Sequence, residues 1–351
     1  MEEITNAFSY EVEKRKPDVL IVSGDLTNNG RKRKSYRFGK KVKRIEESGT
    51  SVYVIPGNHD ISNPWARSFK GDNQYTTDII DENEFRNIYA DFGYDEAISN
   101  DDEKTLGYLA VPSEDVWLLM LDTSQYKNNY MIGFPQTDGK LSPDTLEWIK
   151  AFSDLAEAKE AKIIPVMHHN IINHSEMIRK GFTLNNNEEA LSLFQERHLN
   201  LVLSGHIHTQ DISSYNNGSD TLYDIVTGSL AVNPHQYGVL TYSAKDQAMD
   251  YHTAKVDVEK WAKVNGIKVK HLNHFETNSS ETDITSMSAV MEILNVRYFA
   301  GTENKKSQDV MKSAGYQLWS EAPDSFQKQY IMSMSSDNDI DDNQLHIKYG
   351  K

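Results

Sequence analysis

Five apolar runs each end at a polar cluster, and this repeated arrangement constrains the fold more than any other feature. "DVLIVS" runs into Gly24-Asp25 and "SVYVIP" into Gly57-Asn58-His59-Asp60. "VWLLML" ends at Asp122, "AKIIPVM" at His168-His169, and "LNLVLS" at Gly205-His206-Ile207-His208. Near-continuous apolar strands are buried on both faces. Helix-like segments lie between them. "SPDTLEWIKAFSDLAEAKEA" opens on Ser142 as N-cap and Pro143 at the first helical position. "NNEEALSLFQERH" is a second such segment. Strands alternating with helices predict an α/β fold, and open α/β sheets gather ligands at the carboxyl ends of their strands. Every polar cluster falls at such an end.

The chain has 351 residues, 38% of them hydrophobic, enough for one large domain plus a small one. A net charge of -15 argues against general nucleic-acid binding. There is no cysteine, so thiol nucleophiles and thiolate metal sites are excluded. A metal must be held by His, Asp, Glu or Asn, a donor set that suits Mn, Fe or Zn. No apolar run is long enough to span a membrane. The opening segment, through Asp18, has no apolar core and reads as an amphipathic helix carrying Ile4, Phe8 and Val12. A chain that opens inside a helix feeding a buried strand has the look of one cut into.

From about Thr221 the pattern becomes all-β ("TLYDIVTGSL", "YGVLTYSA", "MDYHT"), a strand set that completes a sandwich or a second sheet. The expected division is a catalytic domain over 1–255 and a helical C-terminal domain over 256–351. That second part closes on an acidic stretch, "SSDNDIDDNQ", read as a solvated tail. Ser62 to Thr105 reads as a long insertion over the strand ends. "RKRKSYRFGKKVKR" holds nine Lys or Arg in fourteen residues. Tyr36, Phe38, Val42 and Ile45 give it apolar positions near helical spacing, so it reads as the solvated face of a helix. Guidance of anionic substrates is the second reading.

Five of the twelve histidines sit at strand ends beside Asp25, Asn58, Asp60 and Asp122. "GDLTNNG", "GNHD", "MHHN" and "GHIH", in that order, resemble four of the five blocks of the calcineurin-like metallophosphoesterases. "VIPGNHDISNPWAR", "LSGHIHTQ" and "PHQYG" look like a bacterial, cyclic nucleotide phosphodiesterase-like subgroup with a helical C-terminal region. The resemblance covers most of the chain to about Tyr251. It implies a four-layer α-β-β-α sandwich of two packed mixed sheets, followed by the helical domain. It also implies two divalent metals, which together activate a water and neutralise charge at phosphorus. By the same resemblance Asp25 bridges the metals, while Asn58, His168 and His206 ligate one and His208 ligates the other. His59 sits near the leaving group. Asp60 either orients His59 or caps a helix, and Asp122 is read as a strand-end turn residue. His169 and His235 fall to the outer shell or the substrate pocket; His174 receives no role.

The family's first block, an Asp-x-His on an earlier strand, has no counterpart before Asp25. Asp18 opens the same strand ~20 Å away and cannot replace it. The second metal therefore keeps Asp25 and His208, and about one well-held metal is expected. The implied activity is hydrolysis of cyclic nucleotides or similar small phosphodiesters, impaired in this chain by the absent block. The alternatives are a catalytically inactive one-metal binding protein, or a phosphomonoesterase or nuclease of the same superfamily. No nucleic-acid partner is expected, and no protein partner is named for the helical region. Localisation is open between the cell envelope or exterior and the cytoplasm.

Overall fold

The computed structural model describes residues 2–95, 98–99, 105–218, 220–268, 284–303, 309–335 and 340–349. All five apolar runs are strands: β1 (Val19–Val22), β2 (Ser51–Val54), β7 (Val116–Leu121), β8 (Lys162–Met167) and β9 (Leu201–Ser204). The last three are parallel neighbours at the centre of a seven-stranded sheet. The rest of that sheet is β11 (Thr221–Val226) and the edge strand β10 (Asp211–Asn216) on one side. On the other side lie β6 (Tyr108–Ala110) and β5 (Ile98–Ser99).

The two-residue period of a strand sorts side chains between two cores. Leu118 and Met120 of β7 join one cluster, with Ile164 and Val166 of β8. Trp117, Leu119 and Leu121 turn the other way, with Met167. The second face is covered by α5 (Pro143–Ala158) and α6 (Asn187–Glu196) through Leu146, Ile149, Leu193 and Phe194. Ser142 caps α5 as expected, its Oγ accepting from Thr145 N at 3.0 Å.

The first face packs against a second β layer, and here the structure refines the expectation of two mixed sheets. That layer is a parallel pair, β1–β2, and a separate antiparallel sheet. The latter comprises β12 (Gln236–Ser243), β13 (Ala248–Lys255) and β14 (Gln344–Lys348). Val52, Val54, Met249, Tyr251 and Ile347 all enter the shared core. The outer layer is α1 (Glu2–Arg15) and α2 (Lys32–Glu47), which contribute Val12, Val42 and Ile45. The four layers are therefore α-β-β-α. On the basic helix α2, Phe38, Val42 and Ile45 pack inward, but Tyr36 is 49% exposed and belongs to the solvent face.

The Ser62–Thr105 insertion contains a hairpin of β3 (Arg67–Lys70) and β4 (Asn73–Thr76), then α3 (Glu82–Ile88) and β5. Residues 96–97 and 100–104 of it lie outside the described set. A short helix, α4 (Asn129–Ile132), follows β7.

Beyond β13, α7 (Val258–Val264) packs on α1 through Trp261, Val258, Ile4 and Ala7. A separate helical core forms from α8 (Met287–Ala300) and helices Ala314–Glu321 and Phe326–Ser333, around Leu294, Tyr316, Trp319 and Ile331. The acidic end corrects the expectation. Over 340–349 it is not a solvated tail, since β14 adds to β13 as a third strand. Asp342 is 1% exposed, and its Oδ1 accepts from Ile212 N at 2.9 Å. The physical reason lies in β10, an edge strand whose outer N–H groups must find acceptors. The remainder of the stretch, 336–339, lies outside the described residues.

Candidate metal centre

Asp25 follows β1 with φ +53°, and His206 and His208 follow β9 with φ +69° and +67°. L-residues adopt this left-handed backbone at a cost, and such strain collects at functional sites. The approach is close as well. A Cβ on Gly57 would collide with the Asp25 carboxylate, so only glycine lets the β2 end meet the Asp25 loop.

Asp25, His168 and His206 each bring one donor atom into a group spanning no more than 4.8 Å. Their protonation pattern follows from their outer partners. His168 Nδ1 lies 2.8 Å from the Ser23 carbonyl oxygen and must donate to it. Its Nε2 then presents a lone pair, 3.1 Å from Asn58 Oδ1 and 3.6 Å from Asp25 Oδ1. Likewise His206 Nε2 donates to Gly181 O at 2.8 Å, which leaves the Nδ1 lone pair facing the group. Lone pairs facing one another across about 3 Å repel unless a cation stands between them. A histidine whose second nitrogen donates to a carbonyl is also the usual setting of a metal ligand. The residues present therefore fit a divalent cation held by Asp25, Asn58, His168 and His206.

The electrostatics agree. Burial alone would raise the Asp25 carboxyl, but the His168 and His59 rings and the His59 N–H hold it below the ordinary carboxylate value. Burial beside the His168 ring pushes His206 down to about 3, which keeps its donor nitrogen unprotonated. His208 is exposed and stands outside the converging group; burial of part of the ring lowers its pKa.

The expected catalytic pair divides. His59 is half-buried, and its Nδ1 faces Asn29 Oδ1 at 3.1 Å. That oxygen also accepts from Asn63 Nδ2, so it cannot donate and His59 Nδ1 carries the proton. The residue holding the His59 ring is thus Asn29, a position that no motif in the sequence marks for this role. The side chain of Asp60 accepts from the backbone N–H groups of Leu26, Thr27 and Gly57 at 2.9–3.0 Å. Asp60 thereby clamps the Asp25 loop onto the β2 end. Burial and the charge of Asp25 push its carboxyl up to about 7.

His169 is fully enclosed, with Nε2 donating to Thr137 O at 3.0 Å and Nδ1 accepting from the Thr123 hydroxyl at 2.7 Å. Both nitrogens are engaged behind the centre. His235 is buried, and its Nδ1 donates to Leu230 O at 2.8 Å. Asp122 is the strand-end residue foreseen, accepting from Ser124 N, Leu106 N and the Tyr126 hydroxyl.

Behind the ligands lies a network that the sequence reading did not assign. Asp224 accepts from Ile171 N (2.8 Å), Ile172 N (3.1 Å) and Ser204 Oγ (2.6 Å). It ties the strand end after His168 to the one before His206. His174 sits between Asp211 (2.5 Å) and Asp224 (3.2 Å) with no exposure. The signal was available: an acid inside the apolar run "LYDIV" must be paired once buried.

Comparison with known proteins follows the same lines. The C-terminal domain of cyclic nucleotide phosphodiesterase matches residues 276–341. A relative from Arcobacter nitrofigilis, named "Probable glycerophosphodiester phosphodiesterase GpdQ", is 40% identical over 57 residues. That stretch is 16% of this chain and 20% of the relative, so the match spans about a fifth of the relative's length. Among solved structures, a dimetal phosphatase from Danio rerio aligns with a TM-score of 0.49 at 15% identity, over 72% of this chain and 86% of that one. GAP50 of Plasmodium, described as the anchor in the inner membrane complex, aligns at 0.37 and 13% identity, over 73% and 80%. The calcineurin-like phosphoesterase family matches residues 1–210, more than half the chain, and the protein belongs to that family.

Proposed function

We propose that this chain hydrolyses small phosphodiesters, cyclic nucleotides among them, with the help of divalent metal. The observation that carries the reading is the convergence of Asp25, His168 and His206 beneath Asn58, with His59 alongside. A bound divalent cation there supplies Lewis-acid stabilisation of charge on the phosphoryl oxygens. The chain's own residues do the rest. Ser23 O and Gly181 O fix the tautomers of His168 and His206. Asn29 accepts from His59 Nδ1 and so orients the ring; once Nε2 is protonated as well, the imidazolium would direct its Nε2–H to the leaving oxygen. The His59 N–H, 3.2 Å from Asp25 Oδ1, holds the carboxylate in place. His208 lies outside the converging group, so we further propose that a second cation is held weakly, through Asp25 and His208. That same observation favours a second reading, a one-metal binding protein without turnover.

The test is hydrolysis of bis(p-nitrophenyl) phosphate and of adenosine 3′,5′-cyclic phosphate by the full chain in excess Mn. Turnover that is lost in Asp25→Ala supports the phosphodiesterase. One bound metal with no release of product from either ester sinks it in favour of the binding protein.

A further inference from the structure

The hairpin beside the centre carries side chains that the metal chemistry does not use. In a strand, alternate residues share a face, so Arg67 and Phe69 of β3 point the same way, and Trp65, in the turn before the strand, lines the same cavity. Gln74 is the register partner of Phe69 on β4 and joins them on that face. These four, with Asn29 and Arg31, line a cavity of about 240 Å³. Asn29 is the residue that holds the His59 ring, so the cavity shares a wall with the metal centre.

Three observations say what the cavity would take. Trp65 and Phe69 are 52% and 65% exposed, although large aromatic rings gain most from cover. Among the described residues, neither Arg31 nor Arg67 forms an ion pair with a carboxylate, in a chain with a net charge of -15. Instead Arg31 Nη1 donates to Arg67 O, and Arg67 Nη1 to Pro64 O and Ala66 O, which leaves the remaining guanidinium N–H groups for a ligand. Finally, the volume lies below the ~300–1,000 Å³ of sites that enclose a whole small molecule. It suits one ring of a ligand whose other end lies elsewhere.

We propose that this cavity is the subsite for the base of a nucleoside phosphate. The proposal rests on the phosphodiesterase reading only in taking the metal centre as the reacting end. Trp65 and Phe69 stack on the base, as aromatic side chains do with any nucleobase. Gln74 meets its polar edge. Arg31 and Arg67 attract the anionic ester and cover the base with planar cations. A glycerol-type head group has no ring to fill such a site and would leave both aromatic faces in water.

The experiment is calorimetric titration of the full chain in EDTA, where turnover does not interfere, with AMP and with ribose 5-phosphate. AMP should bind at least tenfold more tightly. Trp65→Ala and Phe69→Ala should each reduce that preference, and the double variant should abolish it. Both side chains are solvent-facing, so the variants should fold. Equal affinity for the two ligands in the wild type overturns the proposal, as does a preference that survives in the double variant. The AMP preference without hydrolysis of any diester strikes the catalytic reading and leaves the subsite standing. Diester hydrolysis without the preference does the reverse.

Discussion

His168 Nδ1 donates to the Ser23 carbonyl at 2.8 Å, and this bond leaves Nε2 as a bare lone pair 3.1 Å from Asn58 Oδ1. A cation held by both would turn repulsion into coordination. Asp25, His168 and His206 bring their donor atoms together, whereas His208 stands outside that group. Asp25→Ala should therefore release essentially all tightly held metal, and His208→Ala should retain the first equivalent. Plasma mass spectrometry of the dialysed proteins decides it. Equal metal loss in the two variants would argue against the division of ligands.

Gly57 gives a sharper test of geometry, because its substitution removes no ligand. A methyl group there meets both the backbone N and the carboxylate of Asp25. Backbone cannot swing aside as a side-chain tip can, so relief comes by pushing the Asp25 loop away from Asn58. Gly57→Ala should cost about 1–3 kcal/mol of stability. Its metal affinity should fall by more than tenfold. Titration with Mn, followed by calorimetry, reads both effects; wild-type affinity in this variant would mean that the loop is not held this tightly.

Much of this was legible in the sequence. The five strands were visible because each is an unbroken apolar run, and the clusters at their ends could be placed by the habit of parallel sheets. Asp25, His168 and His206 come together as that argument required. The misses share another cause: they depend on what one element does to a distant one. Asn29 holds His59 across 30 residues, and Asp224 braces Ile171 across 53. Neither separation leaves a local pattern. The acidic end misled because charge usually marks solvent, and nothing near Asp342 in sequence announces the Ile212 N–H it meets 130 residues away.

That last contact predicts a cost where a solvated tail would be silent. Asp342→Ala removes the acceptor of a buried backbone N–H. An unsatisfied buried donor costs about 1–3 kcal/mol. Thermal unfolding should therefore start lower in Asp342→Ala than in Asp324→Ala, where the acid is exposed in the loop between helices Ala314–Glu321 and Phe326–Ser333. Equal melting of the two variants would return the acidic end to the solvent.

The buried ring of His174 makes stability depend on pH with a definite sign. Burial alone would discharge it, but the carboxylates of Asp224 and Asp211 outweigh this and raise its pKa from 6.5 to about 10. The folded state therefore holds a proton that the unfolded chain releases near 6.5. This stabilisation is fully present below pH 6.5 and is lost progressively as the pH rises toward 10. Removing the cation leaves two carboxylates buried without it, and breaking such a pair costs about 3–5 kcal/mol. His174→Gln should thus unfold at lower urea than the wild type at pH 6, and the gap between them should narrow steadily up to pH 10. A gap independent of pH would show that the ring is neutral in the fold and that the two carboxylates are held by their hydrogen bonds alone.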